Sequence, residues 1–478
     1  MIRDFRRIQF GYMDAVKEGR DNPDLLINGY VDNGKVVEKA LDNSTFLFLG
    51  YKGSGKSSLS EHLRLIADNS LMVSQESLKD FPFKNFYKIV TGDAEIEVKA
   101  REAWRWLLAI KVLNKMEEDA DAHSEKKEVV KKFVEVFTQA GLFPLSDMST
   151  LVKRTSTNSF KAGLKTFNVE LTQNKENADV SIALSTEFVM KLLKSYKESH
   201  RHVMVIDDLD YNISPRREQF ISIAALINEV KDLNNYMLTE GIPVKIIVLC
   251  QTDIFDRLPD PNKNKTRRDS SFMFSWYKEG VNTPSDSPLI QLVNKRAKLV
   301  YPDLSDVFGY FFPNVYNHKN IYNVLLDFTR HTPRDFIQLM NCIQKQCKGY
   351  KVSVSDIDKG IKEYSLDYFV TEIEDEMAGY IEFDKIKSIL GIFNIMRKRE
   401  FTFQEFLTSY RNVKTLNDTD ANDVMRVLYD CSGIGQKYSY GGKTNRFTFK
   451  YRNRNSAFSE RDTIQLHKGL WKALNMNY

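Results

Sequence analysis

Residues 50–57 combine the residue types that bind a polyphosphate. The stretch reads GYKGSGKS and matches the pattern G-x-x-x-x-G-K-[ST]. Its glycines permit backbone torsions that direct successive N–H groups towards phosphate oxygens, while Lys56 can reach the β- and γ-phosphates and the Ser57 hydroxyl can ligate Mg²⁺. The alternative is a glycine-rich turn that matches the pattern by chance. The residues expected to bind nucleotide are Gly50, Lys52, Gly53, Ser54, Gly55, Lys56, Ser57 and Ser58.

Two carboxylates follow a second apolar stretch, residues 203–206 (VMVI). A buried strand that ends in acidic residues can deliver a carboxylate beside a bound Mg²⁺-nucleotide. Asp207 is the expected metal ligand together with Ser57, and Asp208 is expected to orient or deprotonate the attacking water. Many hydrolytic P-loop ATPases carry glutamate at the second position, so the shorter Asp208 is compatible with slow turnover. Two aspartates after an apolar strand are a weak signal alone and a strong one beside the phosphate loop.

Hydrophobic patterns predict the elements that position these side chains. Residues 46–49 (FLFL) form a short apolar run typical of a buried strand, and apolar residues between 59 and 66 recur at helical spacing. Residues 220–233 predict an amphipathic helix, and residues 246–249 predict a third buried strand. This alternation favours an α/β fold: a P-loop NTPase core with a parallel sheet flanked by helices.

Polar and basic residues beyond the third strand are further catalytic candidates. Gln251 follows that strand, where a polar side chain can sense the γ-phosphate, or it is a structural loop residue. Arg267, Arg268 and Arg296 are candidates for an arginine finger that enters the site of a neighbouring subunit, Arg268 being the one we select. For each arginine the alternative is a solvated charge.

Arg334 stands in the first turn of a predicted helix, because Thr332 suits the N-cap and Pro333 the first helical position. From there its guanidinium could reach a γ-phosphate and so distinguish bound ATP from bound ADP. A pair with a local acid such as Asp335 is the alternative. Both interpretations are open at this stage.

The length of 478 residues predicts several domains, since a single core stops growing well below that size. The N-terminal strap either passes beside the base, with Tyr30 or Val31 near adenine, or simply packs on the core. The predicted domains are a strap at 1–43, a P-loop ATPase core at 44–300 with an insertion at about 80–195, a helical lid at 301–375 and a winged-helix domain at 376–478.

The insertion has helical and extended patterns of its own. Residues 97–115 predict an amphipathic helix, and alternating apolar residues at 167–171 and 180–184 predict a pair of strands. No role for the insertion follows from its residues.

The C-terminal stretch combines predicted helices, a predicted hairpin and basic side chains. Three helices followed by a β-hairpin are the order of a winged helix, with a turn predicted at Gly441 and Gly442. Basic residues among aromatics suit contacts to a DNA or RNA backbone. The alternative is a module that contacts proteins and carries solvated basic residues. The candidates for phosphate contacts are Lys443, Arg446, Arg452 and Arg454.

Composition restricts the class of protein without deciding its function. A net charge of +5 is too small over this length to imply a nucleic-acid partner. Four cysteines, without C-x-x-C spacing or paired histidines nearby, suggest neither a disulfide framework nor a zinc site. No apolar run is long enough to span a bilayer and residues 1–12 have no signal-peptide core, so we expect a cytoplasmic protein without membrane contact.

Taken together, the motifs resemble those of bacterial ATPases of the AAA+/STAND division. The resemblance is carried by GYKGSGKSS, VMVIDDLD, QTDIFDRL, TPRDFIQLMN and LHKGLWKAL, and the DDLD segment is similar to that of KAP-type NTPases. Such proteins accompany phage-defence and mobile-element genes. The resemblance implies ATP with Mg²⁺, a homo-oligomer with an arginine finger between subunits, and a lid arginine at Arg334. Gln251 departs from the basic or small polar residue expected at its position, which puts the sensing role there in doubt.

Two functional hypotheses follow from this resemblance. In the first, ATP hydrolysis drives an oligomer that engages DNA or a separate effector protein, in keeping with anti-phage defence. In the second, the protein is a nucleotide-gated switch or scaffold that hydrolyses slowly and acts through protein partners.

Overall fold

The computed structural model describes residues 2–476 with the exception of 140–146, 158–161, 163–181, 199, 210–216, 280–283 and 441–443. Its strands are β1 Leu47–Gly50, β2 Leu71–Ser77, β3 His123–Ser124, β4 Tyr196–Glu198, β5 Arg201–Asp207, β6 Val244–Gln251, β7 Ser271–Met273, β8 Val315–Tyr316, β9 Lys319–Asn320, β10 Glu400–Phe401, β11 Ile434–Tyr440, β12 Thr444–Thr448 and β13 Thr463–Leu466.

Helices carry most of the remaining ordered structure. They are α1 Ala15–Asp21, α2 Asp24–Ile27, α3 Val36–Leu41, α4 Lys56–Leu65, α5 Ile96–Glu118, α6 Lys127–Gln139, α7 Met148–Thr155, α8 Ile182–Leu193, α9 Arg217–Thr239, α10 Thr252–Arg257, α11 Lys263–Ser270, α12 Pro288–Lys298, α13 Val307–Phe311, α14 Ile321–Asp327, α15 Pro333–Gln346, α16 Val354–Glu363, α17 Val370–Met377, α18 Phe383–Met396, α19 Phe403–Tyr410 and α20 Ala421–Asp430. A π-helical turn, Tyr364–Phe369, joins α16 to α17. No helix of the described residues is long and apolar enough to cross a membrane.

The chain forms two compact units. The first, which we call the sheet unit, comprises Gly34–Lys52 and Lys56–Phe274. The second, the helical unit, comprises Met1–Asn33, Gly53–Gly55 and Ser275–Tyr478. The residues of the predicted N-terminal strap up to Asn33 therefore group with the C-terminal half of the chain.

A parallel sheet of five strands organises the sheet unit, in the order β2-β5-β6-β1-β7. Strands β1, β5 and β6 lie inside the sheet and are apolar on both faces, as their unbroken hydrophobic runs predict. Because all strands are parallel, their carboxyl ends share one edge of the sheet. The predicted P-loop α/β fold is confirmed.

The insertion shares a core with this sheet. Helix α5 confirms the helix predicted at 97–115, and its buried Trp104 and Trp106 belong to the same hydrophobic cluster as the sheet residues. Lys111 on α5 forms a buried ion pair with Glu76 on β2, with Nζ 2.9 Å from Oε2. The segment around residues 80–195 is thus packed as part of the sheet unit.

The strand pair predicted within the insertion is wrong where it can be checked. Residues 182–184 begin helix α8, in which the buried Ile182, Val189 and Leu192 follow helical spacing. Leu184 is 54% exposed, so it is not part of a buried strand face. Residues 167–171 and 180 lie outside the described part of the chain.

In the helical unit, one hydrophobic cluster joins the N-terminal segment to the lid and C-terminal helices. Phe5, Ile8 and Phe10 are at most 1% exposed and belong to the same cluster as residues 289–476. The Phe5 N–H donates to the Tyr350 carbonyl at 3.1 Å. This packing favours the interpretation of the N-terminal segment as a packed strap.

The C-terminal part of the helical unit has the predicted sequence of elements. Helices α18, α19 and α20 precede the antiparallel hairpin β11–β12, whose tip at 441–443 lies outside the described residues. Thr402 and Glu405 form the predicted capping box at the start of α19. The winged-helix classification and the domain boundaries remain predictions.

Candidate nucleotide site

Helix α4 begins at Lys56, directly after the phosphate loop. Lys56 is 9% exposed, and its Nζ donates to the carbonyl oxygens of Gly50 at 3.0 Å and Tyr51 at 3.2 Å. A buried ammonium needs anionic or carbonyl partners, and here the partners are neutral carbonyls of the loop itself. The amine is therefore held at the loop, where a phosphate would supply a stronger, charge-assisted partner.

The two predicted magnesium ligands are in contact with each other. The Ser57 hydroxyl in the first turn of α4 donates to Asp207 Oδ2 at the end of β5, at a distance of 2.7 Å. Burial and the neighbouring Asp208 raise the pKa of Asp207 to about 6. A divalent cation would relieve both effects by stabilising the ionised carboxylate.

Asp208 is held in an unusual backbone conformation beside this pair. Its φ of 61° lies in the left-handed region, which few residues other than glycine adopt. Its N–H donates to Asp207 Oδ1 at 2.8 Å, and its Oδ2 accepts a hydrogen bond of 2.6 Å from the Ser77 hydroxyl. The residue expected to orient water is thus held by one hydrogen bond at its backbone and one at its carboxylate.

Ser77 is the residue of this site that sequence analysis missed. It ends β2, and the parallel register pairs it with Asp207. The signal that could have found it is topological: β2 is the neighbour of β5, so its last residue must lie beside the acidic strand end.

Gln251 lies where the sequence predicted, at the end of β6. The register of β1 and β6 pairs it with Gly50, the first residue of the phosphate loop. Its backbone position is therefore adjacent to the loop, and its side chain is half-buried. Whether it senses a γ-phosphate remains a prediction.

The middle of the phosphate loop packs within the helical unit. Gly53 and Gly55 have φ values of 76° and 97°, as the loop requires, whereas Gly50 simply ends strand β1. A Cβ added to Gly53 would lie 3.0 Å from the Arg334 Cβ, so a larger residue would also have a tight contact here. The Ser54 carbonyl accepts a hydrogen bond of 2.8 Å from Trp276 Nε1.

Ser54 has a second feature that suits phosphate binding. Its side chain is 2% exposed, and its hydroxyl has no hydrogen-bond partner. A buried hydroxyl without a partner carries a desolvation cost that a phosphate oxygen would remove.

Arg334 is placed beside this part of the loop. Thr332 caps α15 by accepting a bond of 3.2 Å from the Asp335 N–H, and the Arg334 N–H donates to the Gly53 carbonyl at 3.3 Å. The Arg334 guanidinium is 29% exposed and lies 3.9 Å from Glu372. Asp335 is not the acid that pairs with Arg334, because Asp335 pairs with Arg330 at 2.9 Å, and the contact with Glu372 leaves the predicted alternative of a paired arginine open.

The three arginine-finger candidates have different environments. The prediction that Arg296 is an arginine finger is wrong, because its side chain is 5% exposed and pairs with Glu18 at 2.6 Å. Arg267 pairs with Asp256 and lies over the Phe255 ring. Arg268 is exposed at the end of α11 and is the remaining candidate.

One of the four basic residues assigned to nucleic acid is engaged inside the helical unit. Arg452 is 24% exposed, pairs with Asp327 at 3.4 Å and lies over the Tyr451 ring at 5.6 Å, and its contact with a phosphate backbone remains a prediction. Arg454 is half-exposed. Lys443 and the side chain of Arg446 lie outside the described part of the structure.

Comparisons with known proteins give a partial match. Residues 287–371 match a family model described as the FunZ-associated C-terminal helical domain. No curated protein matches the sequence.

Among solved structures, the chain is similar to the Orc1 protein of Aeropyrum pernix, determined in complex with DNA, with 12% identity over 92% of this chain and 89% of that one and a TM-score of 0.38. It is also similar to Cdc6p of Pyrobaculum aerophilum, with 13% identity over 97% and 93% of the two chains and a TM-score of 0.31. The chain is thus a P-loop α/β protein whose segment 287–371 is similar to a FunZ-associated helical domain.

Proposed function

We propose that this protein binds ATP with Mg²⁺ and hydrolyses it. The observation that carries the proposal is the contact of 2.7 Å between the Ser57 hydroxyl and the Asp207 carboxylate. The hydroxyl belongs to the helix that follows the phosphate loop, and the carboxylate belongs to the end of a separate strand. A hydroxyl and a carboxylate placed in this way are the protein ligands that a nucleotide-bound Mg²⁺ uses. The residues present therefore fit the metal and the nucleotide.

Each residue of the site has its own role in the proposed binding and hydrolysis of ATP. Backbone N–H groups of the loop and Lys56 hold the phosphates, and Ser57 and Asp207 hold the metal. The metal neutralises charge on the phosphates when it is bound. Asp208 accepts a proton from water or orients it for attack on the γ-phosphorus, Ser77 positions Asp208, and Gln251 and Arg334 respond to the γ-phosphate.

The direct test replaces the metal ligand. Asp207→Asn in the full chain should abolish Mg²⁺-dependent phosphate release. Asp68→Asn, which changes an acidic residue in the turn before β2, should leave turnover within about twofold. Wild-type protein that releases phosphate equally well with Mg²⁺ and with a chelator would contradict the proposal.

A second candidate is a slow nucleotide-gated switch or scaffold that acts through protein partners. It is favoured by Asp208, a short carboxylate whose Oδ2 is engaged by Ser77. Tight ATP binding with negligible turnover, unchanged by DNA, would support the switch. Turnover that DNA stimulates would support a DNA-coupled ATPase.

The wider role rests on the sequence resemblance. We propose a homo-oligomer that couples ATP to DNA or to a separate effector protein in anti-phage defence. Native mass spectrometry with and without ATP tests the oligomer, and titration with duplex DNA at several salt concentrations tests nucleic-acid binding. Loss of phage protection in cells carrying Lys56→Ala tests the defence role.

A further inference from the structure

Two aspartates and two histidines meet in the sheet unit, at the ends of the strands opposite the phosphate loop. Asp119 terminates α5, Asp121 follows it, and His200 and His202 lie at the start of β5. One ligand atom each from Asp119, Asp121 and His200 all lie within 4.8 Å of one another, and His202 contacts the same aspartate. We propose that Asp119, Asp121 and His200 bind a divalent transition-metal ion of the Zn²⁺ class.

Asp119 is the buried anchor of the cluster. Its side chain is 1% exposed, and Oδ1 accepts from His200 Nδ1 at 2.8 Å and from the Asp121 N–H at 3.0 Å. Oδ2 accepts from the His200 N–H and from His202 Nε2, both at 3.0 Å. These contacts fix the orientation of the carboxylate before any ion arrives.

His200 supplies the observation that points to a cation. Nδ1 faces Asp119 at 2.8 Å, and Nε2 lies 3.3 Å from Asp121 Oδ2. Each ring nitrogen of His200 thus faces a carboxylate oxygen, an arrangement in which an imidazole nitrogen and a carboxylate oxygen can share one metal ion.

The donor set also decides the class of ion. Imidazole nitrogen with carboxylate oxygen suits Zn²⁺ and similar first-row metals, whereas Mg²⁺ prefers oxygen ligands alone. His202 is 5% exposed and donates to Asp119, which is the outer-sphere contact that orients a ligating carboxylate. Asp121, with 75% of its side chain exposed, provides the route of entry.

An ion at this place would connect the insertion to the sheet. Asp119 belongs to the end of α5, while His200 lies directly before the strand that ends in Asp207. The ion would hold these two segments together in addition to their hydrogen bonds. The site is separate from the proposed nucleotide site, and the two proposals are independent.

The test measures Zn²⁺ binding by the full chain in the absence of nucleotide. Excess Mg²⁺ is present so that it occupies the sites made of carboxylate oxygens alone. Wild type should bind Zn²⁺ with at least about tenfold higher affinity than Asp121→Asn, a substitution at an exposed position that should fold normally. His318→Asn is the matched control, because His318 is exposed and its φ of 61° suits asparagine.

Co²⁺ gives a second readout that separates this site from the four cysteines. Binding should produce visible d–d bands without a thiolate charge-transfer band, and the bands should be lost in Asp121→Asn and kept in His318→Asn. Absence of binding by wild type, equal affinity of Asp121→Asn, or a thiolate band would each overturn the proposal.

Discussion

The Ser77 hydroxyl donates a hydrogen bond of 2.6 Å to the Asp208 carboxylate, linking the end of β2 to the residue that follows β5. The bond spans two neighbouring strands of the sheet, so the position of Asp208 depends on an element outside its own motif. Asp208 also has a φ of 61°, a conformation that needs support from its surroundings.

Removing the Ser77 hydroxyl should therefore lower turnover without affecting nucleotide binding. For Ser77→Ala we expect kcat to fall by about fivefold, the equivalent of one net hydrogen bond of about 1 kcal/mol, with the ATP dissociation constant unchanged. Asp208→Asn should keep ATP bound and block hydrolysis in a single-turnover assay. Ser74→Ala, in the same strand, is the control. Equal rates for Ser77→Ala and wild type would exclude Ser77 from positioning Asp208.

Lys56→Ala should abolish nucleotide binding. The buried Nζ is held by two carbonyls of the loop and is the cation placed to meet the phosphates. Equilibrium binding of a fluorescent ATP analogue measures the effect, with Lys348→Ala at an exposed position as control. Retained binding by Lys56→Ala would refute the assignment of the phosphate loop.

The sequence predicted those parts of the site that local patterns encode. Lys56, Ser57 and Asp207 stand in motifs that are next to buried strands. A strand that is buried on both faces can be recognised in the sequence as an unbroken run of apolar residues. Ser77 was missed because β2 is an edge strand, so much of it is polar and partly exposed.

Long-range partners explain the remaining errors. Arg296 looks like a solvated arginine in the sequence, but Glu18, which buries it, lies 278 positions away. The alternation of Val180, Ile182 and Leu184 favoured a strand, whereas packing of the following apolar residues places 182–193 in a helix.

Arg268→Ala tests the arginine finger. If Arg268 enters a neighbouring subunit's site, the variant should lose about 10³-fold in turnover while still binding ATP. Mixing Arg268→Ala with Lys56→Ala protein should then restore part of the activity, because an intact site of one chain can receive an intact arginine of the other. Full activity of Arg268→Ala alone would remove the residue from the mechanism.

The Arg330–Asp335 pair should govern part of the acid stability. Burial raises the pKa of Asp335, but the Arg330 guanidinium outweighs it, and the pKa falls from 3.8 to about 2. A carboxylate whose pKa is lower in the folded than in the unfolded state stabilises the fold at pH values above its unfolded pKa. This contribution is lost as the pH falls through the folded pKa. Asp335→Asn should cost up to about 3–5 kcal/mol near neutral pH, because the buried Arg330 then loses its pair with Asp335 and keeps its contacts with Glu376 and Glu372.

Urea unfolding across the acid range measures this contribution. The deficit of Asp335→Asn should shrink as the pH falls from about 4 to about 2, since wild type then loses the ionised carboxylate as well. Lys345 lies on the same helix as Asp335, and Lys345→Ala, which breaks its solvent-exposed pair with Glu363 of α16, should cost under about 1 kcal/mol. A deficit that does not change with pH would show that the charge of Asp335 is not what stabilises the helical unit.

The packing of the N-terminal segment has a consequence for biosynthesis. Gln344 Nε2 donates to the carbonyls of Phe5 at 2.9 Å and Ile8 at 2.7 Å, so residues made early are bound by a residue made far later. During translation, Phe5 and Phe10 leave the ribosome long before their partners exist, and the sheet core can be completed in the interval. A nascent chain arrested before residue 344 should consequently expose these aromatic side chains to chaperones and proteases.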